Sequence, residues 1–146
     1  MTGQRYDLGA TFVRLGRALV AAEQPVLDEL GIEMWDYVVL VALRHGPAHT
    51  QARLAAATGR DTTRLIPILD RLEGRGLLRR TPDPADRRNR IVELTGPGTE
   101  LVTTCQAAIR RMEARVLADL PEDERLVFIA QLERVADLIA GPRDGV

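Results

Sequence analysis

The chain contains no lysine and no serine, so all 20 of its basic residues are arginine and a serine nucleophile is impossible. Cysteine is nearly absent too. A single Cys105 excludes an internal disulfide, so folding must rest on a packed core. Aromatic residues number only five, 3% of the chain, and no apolar run approaches the ~20 residues needed to span a bilayer. The opening "MTGQRYDLGATF" lacks the pattern of a signal peptide, and the expectation is a cytoplasmic protein without membrane association. The two histidines, His45 and His49, stand four apart, but Gly46 and Pro47 break any helix that would align them, and no metal site is expected. Without serine, a metal cluster or a paired His and Cys, no catalytic set can be assembled; neither an enzyme nor a cofactor is expected.

What remains is sufficient for one domain, with 146 residues of which 45% are hydrophobic. Net charge is only −1, yet it is unevenly spread. Residues 53–90 hold ten arginines against five acids, a net of +5, which leaves −6 on the remainder. A basic middle between acidic flanks is a distribution suited to a nucleic-acid backbone.

Hydrophobic periodicity predicts an amphipathic helix over 5–30, through Leu8, Phe12, Leu15, Leu19, Ala22 and Val26, with Pro25 expected to bend it. "MWDYVVLVAL" (34–43) predicts a second, apolar nearly all round and therefore central. In "TQARLAAATGRDTTRLIPILDRLEGRG" (50–76), Thr50 caps a short helix over 51–57 and Thr58-Gly59-Arg60 turns the chain. Asp61 then caps a helix to about Gly74, the spacing of a helix-turn-helix. Its buried stripe is Leu65, Ile68, Leu69 and Leu72, and its outer face carries Arg60, Thr63, Pro67 and Asp70. Next, "LLRRTPDPADRRNRIVELT" (77–95) predicts two short strands around a loop longer than reversal requires. Two helices close the chain. The first, over 98–119, shows the stripe Leu101, Cys105, Ala108, Met112 and Val116. The second, after Pro121, shows Leu126, Ile129, Leu132, Ala136 and Ile139, widened by Phe128, Val135 and Leu138. Leu101, Met112, Phe128 and Val135 predict more apolar surface than one chain covers, and hence a second copy.

The expected fold is therefore mainly α with a small β-hairpin, a winged helix-turn-helix inserted between long dimerisation helices. Residues 1–146 read as one domain, with 1–45 and 98–146 the helical dimerisation region and 46–97 the winged helix-turn-helix. Arginine suits the narrow minor groove, and a hairpin can carry it there from a helix seated in the major groove. Asp86, two residues before Arg88, is placed to hold that guanidinium bidentately, while Pro82 and Pro84 stiffen the approach.

In "LAAATGRDTTRLIPILDRLEGRGLLRR" followed by "DPADRRNRIVELTGPG", the chain resembles the MarR (multiple antibiotic resistance regulator) family of bacterial transcription factors. The Leu72-Glu73-x-x-Gly76-Leu77 junction, the Asp-x-x-Asp-Arg-Arg wing and the Leu94-Thr95-x-x-Gly98 exit match in order, and the likeness extends over nearly the whole chain. The resemblance implies a homodimeric, sequence-specific DNA-binding regulator, a repressor on a pseudo-palindromic operator of double-stranded DNA. It makes Arg88 the groove-inserting residue, Asp86 its support and Arg87 a phosphate contact. Thr62, Thr63 and Arg64 become the major-groove readers. Pro67 departs from the pattern, on the outward face where relatives often carry arginine, and is expected to kink the helix. Many family members bind small aromatic or phenolic effectors in a cleft between the dimer helices and the winged helix. Arg14, Trp35, Tyr37 and His45 are the candidates here, with core anchoring the competing role for Trp35. Some relatives sense peroxide through a cysteine in the first helix, where this chain has none; Cys105 lies on an apolar stripe and is expected to be a packing residue. The alternative is a winged-helix module that serves only protein interaction, whose basic surface is incidental.

Overall fold

A computed structural model describes residues 7–141, which form six helices and one two-stranded antiparallel hairpin. The order is α1 (Leu8–Glu29), α2 (Met34–Ala42), α3 (Gln51–Thr58), α4 (Thr62–Gly74), β1 (Leu78–Pro82), β2 (Arg90–Leu94), α5 (Gly96–Val116) and α6 (Glu122–Ala140). The Asp7 carboxylate opens α1 by accepting from the Ala10 N–H at 2.9 Å. That helix runs on through Pro25 and is followed by a hydrogen bond from the Ile32 N–H to the Leu27 carbonyl, which sets two buried side chains against each other. Positions 5 and 6, where the periodicity starts the first helix, lie outside the described residues.

The core forms where α2 packs between α5 on one side and α3 and α4 on the other, with the hairpin closing onto α3, α4 and α5. Leu27, Val39, Leu40, Leu54, Leu65, Leu69, Leu72, Val92 and Val102 are fully enclosed. The extended piece before α3 pairs once with the sheet, Ala48 and Val92 exchanging both backbone hydrogen bonds at 2.8 and 2.9 Å, so the hairpin gains a short third member. Gly98 fixes the hairpin base to α5: a Cβ there would stand 1.8 Å from the Leu77 carbonyl oxygen. The adjacent Thr95 caps α5 through the Gly98 N–H and donates its hydroxyl to the Gly76 carbonyl at 2.6 Å.

The buried stripe of α5 differs from the expected one. Cys105 and Met112 are enclosed as read, but the other buried positions are Gly98, Val102 and Ile109; Ala108 is half-buried and Val116 is exposed. Both sides of this helix are apolar enough to satisfy a period of 3.6, and only packing selects between them. α6 buries none of its residues, and Phe128 and Val135 are 40% and 36% exposed. Leu8, Phe12, Val13 and Val20 of α1 are likewise open. Met112 and half-buried Leu101 find cover within the chain, so the uncovered apolar surface belongs mainly to α1, α6 and the Val116 end of α5. No helix among the described residues is long and apolar enough to cross a membrane.

Candidate nucleic-acid interface

Helices α3 and α4 are joined as their sequence dictates. Thr50 accepts from the Arg53 N–H at 3.0 Å, Asp61 accepts from the Arg64 N–H at 2.9 Å, and between them Gly59 adopts φ +68°, the left-handed conformation that ends α3. Ala55 is buried where the helices cross, and Leu54 and Leu65 share the core. The opposite face of α4 is open: Thr62, Thr63, Arg64, Ile66, Pro67 and Asp70 are all exposed. Arg64 leans back toward its own cap, Nε lying 3.5 Å from an Asp61 oxygen, with its side chain 73% exposed. The helix continues without interruption through Pro67, six residues beyond the cap. Proline has no N–H, so the Thr63 carbonyl loses its usual helical donor there.

The wing has a built tip. Arg79 of β1 and Glu93 of β2 stand opposite each other in the register and pair at 2.8 Å. Beyond the last pair, Pro82 with Arg90, the Asp83 N–H donates to the Asn89 carbonyl at 3.0 Å, and the Asp83 carboxylate turns the chain by accepting from the Ala85 N–H. Asp86 organises the rest. One of its oxygens accepts both the backbone N–H and the Nε of Arg88, at 3.1 and 3.2 Å; the other accepts the Asn89 amide at 3.2 Å. Asp86 therefore does hold Arg88, by one guanidinium nitrogen rather than two, because its second oxygen is committed to Asn89. The role of Asn89 escaped the sequence reading, although Asx residues that close tight turns onto neighbouring backbone are a known local signal. The Arg88 side chain, 92% exposed, keeps its terminal nitrogens free. Arg87 is exposed and makes no ion pair among the described residues.

Wing and recognition helix are tied to each other by Arg80. From β1 it reaches Asp70 and Glu73 on α4 at 2.5 and 3.1 Å and approaches the Gln51 side chain at 3.5 Å, with only 16% of its side chain exposed. This bonding holds the Glu73 carboxyl below its ordinary pKa. Without Arg80, two carboxylates on α4 would stand unpaired beside the wing. The excess of +5 counted from sequence is thus partly spent inside the fold: Arg64, Arg71, Arg79, Arg80 and Arg88 all have carboxylate partners. Arg53, Arg75, Arg87 and Arg90 make no ion pair among the described residues and are exposed.

Two neighbouring residues of α2 grip the helix-turn-helix. Asp36, 1% exposed, pairs through both oxygens with Arg71 of α4, the second contact being Nε to Oδ2 at 3.2 Å; Arg71 also reaches Glu33. Hydrogen bonding to Asp36 raises the Arg71 pKa further. Trp35 is not a core anchor. The residue is 38% exposed, and its ring carries the Arg60 guanidinium 3.7 Å above its centre. Arg60, expected on the outer face with Thr63, Pro67 and Asp70, is engaged there instead.

Of the four effector candidates, Trp35 and Tyr37 therefore meet different neighbours. Tyr37 is half-buried, and desolvation, with Glu23, Cys105 and Glu113 near it, pushes its hydroxyl up to about 12. Glu23 is itself raised by burial and by Glu113. Arg14 and His45 are exposed. Cys105 is fully enclosed, and burial raises its thiol pKa, which disfavours the reactive thiolate.

Helix-turn-helix, pinned wing and the ion pairs that join them define a winged helix-turn-helix protein. Residues 32–89 match the sequence model of the MarR family, and the chain belongs to that family. Over 102 residues it is 37% identical to the HTH-type transcriptional repressor NicR of Pseudomonas putida, an overlap of 69% of this chain and 64% of that protein. The crystal structure of a MarR-family transcriptional regulator from Rhodococcus sp. RHA1 superimposes with a TM-score of 0.81 at 26% identity, covering 97% of this chain and 99% of that one. CouR of Rhodococcus jostii RHA1, solved bound to p-coumaroyl-CoA, gives 0.76 at 29% identity with 94% of each chain covered. The repressor CouR bound to a 23-mer DNA duplex also gives 0.76, at 28% identity, covering 88% and 92%.

Proposed function

We propose that the protein is a homodimeric transcriptional repressor that binds a pseudo-palindromic DNA operator and is released by a small aromatic or phenolic effector. The observation that carries this reading is the wing: Asp86 and Asn89 hold Arg88 by one nitrogen and leave its remaining donors in solvent, beside a recognition helix whose polar N-terminal face is open. Thr62, Thr63 and Arg64 address base edges in the major groove. Arg88 enters the minor groove, and Arg87 contacts phosphate. Residues 46–97 bind DNA, while 1–45 and 98–146 bring two copies together by burying the open apolar faces of α1 and α6. The role requires no cofactor and no chemical step, and its target places the protein in the cytoplasm.

An effector acting near Tyr37, with Arg14, Trp35 and His45 as further candidates, reaches the DNA-binding region through α2. The Asp36–Arg71 and Trp35–Arg60 contacts both leave that helix. Selection of bound sequences from a random duplex pool tests the reading. The expected product is a site with two-fold symmetric half-sites about one helical turn apart, bound with a steep salt dependence. Binding that is indifferent to sequence and to salt would overturn it. Sedimentation should show a dimer at micromolar concentration, and Phe128→Asp should shift it toward monomer.

A further inference from the structure

Ile66 is out of place. The exposed large apolar side chains of the described residues lie on α1, α6 and the end of α5, except for Trp35, which Arg60 covers, and Ile66, 38% exposed on α4. Ile66 shares the outward face of α4 with Thr62 and Asp70, four residues to either side, and Pro67 adjoins it. Leu65, Ile68, Leu69 and Leu72 already supply the helix with its buried stripe, so Ile66 adds nothing to the core.

We infer that Ile66 reads the 5-methyl group of a thymine in the major groove and is a specificity-determining residue of this protein. The inference rests on the DNA-binding reading above. Base edges in the major groove present donors, acceptors and one apolar group, the thymine methyl. An isoleucine gains nothing from phosphate, but it gains burial against that methyl. Its position, the fifth residue of α4, lies in the N-terminal part of the helix, the part that such helices direct at bases. The surroundings fit a nucleic acid better than a protein partner. Ile66 borders a cleft of about 360 Å³ between α3, α4 and the wing, with Gln51, Glu73, Arg80 and Arg90 as its other walls. Arg80 neutralises Glu73 there, and Arg90, which makes no ion pair among the described residues, leaves net positive charge at the rim. Pro67 reinforces the apolar character, since its exposed ring extends the surface beside Ile66.

Replacing each thymine of the selected site by deoxyuridine, one symmetric pair at a time, removes the methyl and nothing else. Binding by fluorescence anisotropy should weaken roughly fourfold per half-site at one position, the worth of about one buried methyl group. Ile66→Ala should bind the unsubstituted site more weakly and lose the difference between thymine and uracil there, while Ile66→Val keeps part of it. The side chain is exposed, so these variants should match the parent in circular dichroism and melting temperature. A site that tolerates uracil throughout, or one whose uracil penalty survives in Ile66→Ala, overturns the inference while leaving DNA binding intact. Failure to select any sequence overturns both readings together.

Discussion

Arg71 on α4 and Asp36 on α2, 35 residues apart in the chain, face each other as a two-pronged ion pair whose carboxylate is 1% exposed while the guanidinium is 40% exposed. The asymmetry decides what each substitution does. Removing Arg71 strands a buried charge, whereas removing Asp36 leaves a cation that water can still reach. Asp36→Ala should therefore cost about 2 kcal/mol, and Arg71→Ala about 3 kcal/mol or more. Urea denaturation measures both, and equal losses would contradict the asymmetry.

Arg88→Ala should weaken operator binding by about 1 to 3 kcal/mol. Asp86→Ala should lose part of the same energy, since it releases both Arg88 and Asn89. The two effects should overlap in a double-mutant cycle measured by anisotropy. Strict additivity would mean that Asp86 does not hold Arg88 in the complex.

Glu73 gives a pH dependence of known sign. Its folded pKa lies below the ordinary 4.5, chiefly through its hydrogen bond from Arg80. The stabilisation is fully present above the unfolded value and is lost as pH falls through the folded one. Melting temperature should accordingly drop more steeply below pH 4.5 in the parent than in Glu73→Gln. Parallel curves would remove Glu73 from the account of acid stability.

Gly98→Ala should destabilise the fold by at least about 3 kcal/mol, because the backbone carbonyl of Leu77 occupies the space its methyl would need. Gly96→Ala, where nothing lies within 4 Å, is the control and should stay within about 0.5 kcal/mol of the parent. Thermal denaturation of the pair separates a local packing conflict from a general intolerance of alanine at the start of α5.

Short-range rules recovered the helix-turn-helix well, since Thr50, Gly59 and Asp61 act on backbone groups within a few residues of themselves. The resemblance located the Gly98 exit, and the Leu77 carbonyl supplies its reason. Contacts between distant segments were not readable. Nothing local marks Asp36 as the partner of Arg71, or assigns Arg80 to Asp70 and Glu73, so a charge count overstated the free cations. Periodicity found α5 but chose Ala108 over Ile109, because a helix with two apolar sides satisfies either register. Nothing local sets Ile66 apart from the aliphatic residues of the stripe beside it; only its exposure does.

The seam at Gly98 makes the hairpin and α5 a single lever. Thr95 bonds to Gly76 and Leu77, and Gly98 sits against the same segment, so neither end of the hairpin base can swing independently of the long helix. At about 1.5 Å per residue, α5 is an arm of roughly 30 Å. A tilt of about 5° at its far end, where a second copy would grip it, carries the hairpin base through roughly 2.6 Å, close to the length of one hydrogen bond. On the proposed function, a pair of such arms would work as calipers, and a small change in their opening would be enough to take both tips out of phase with the grooves they would span.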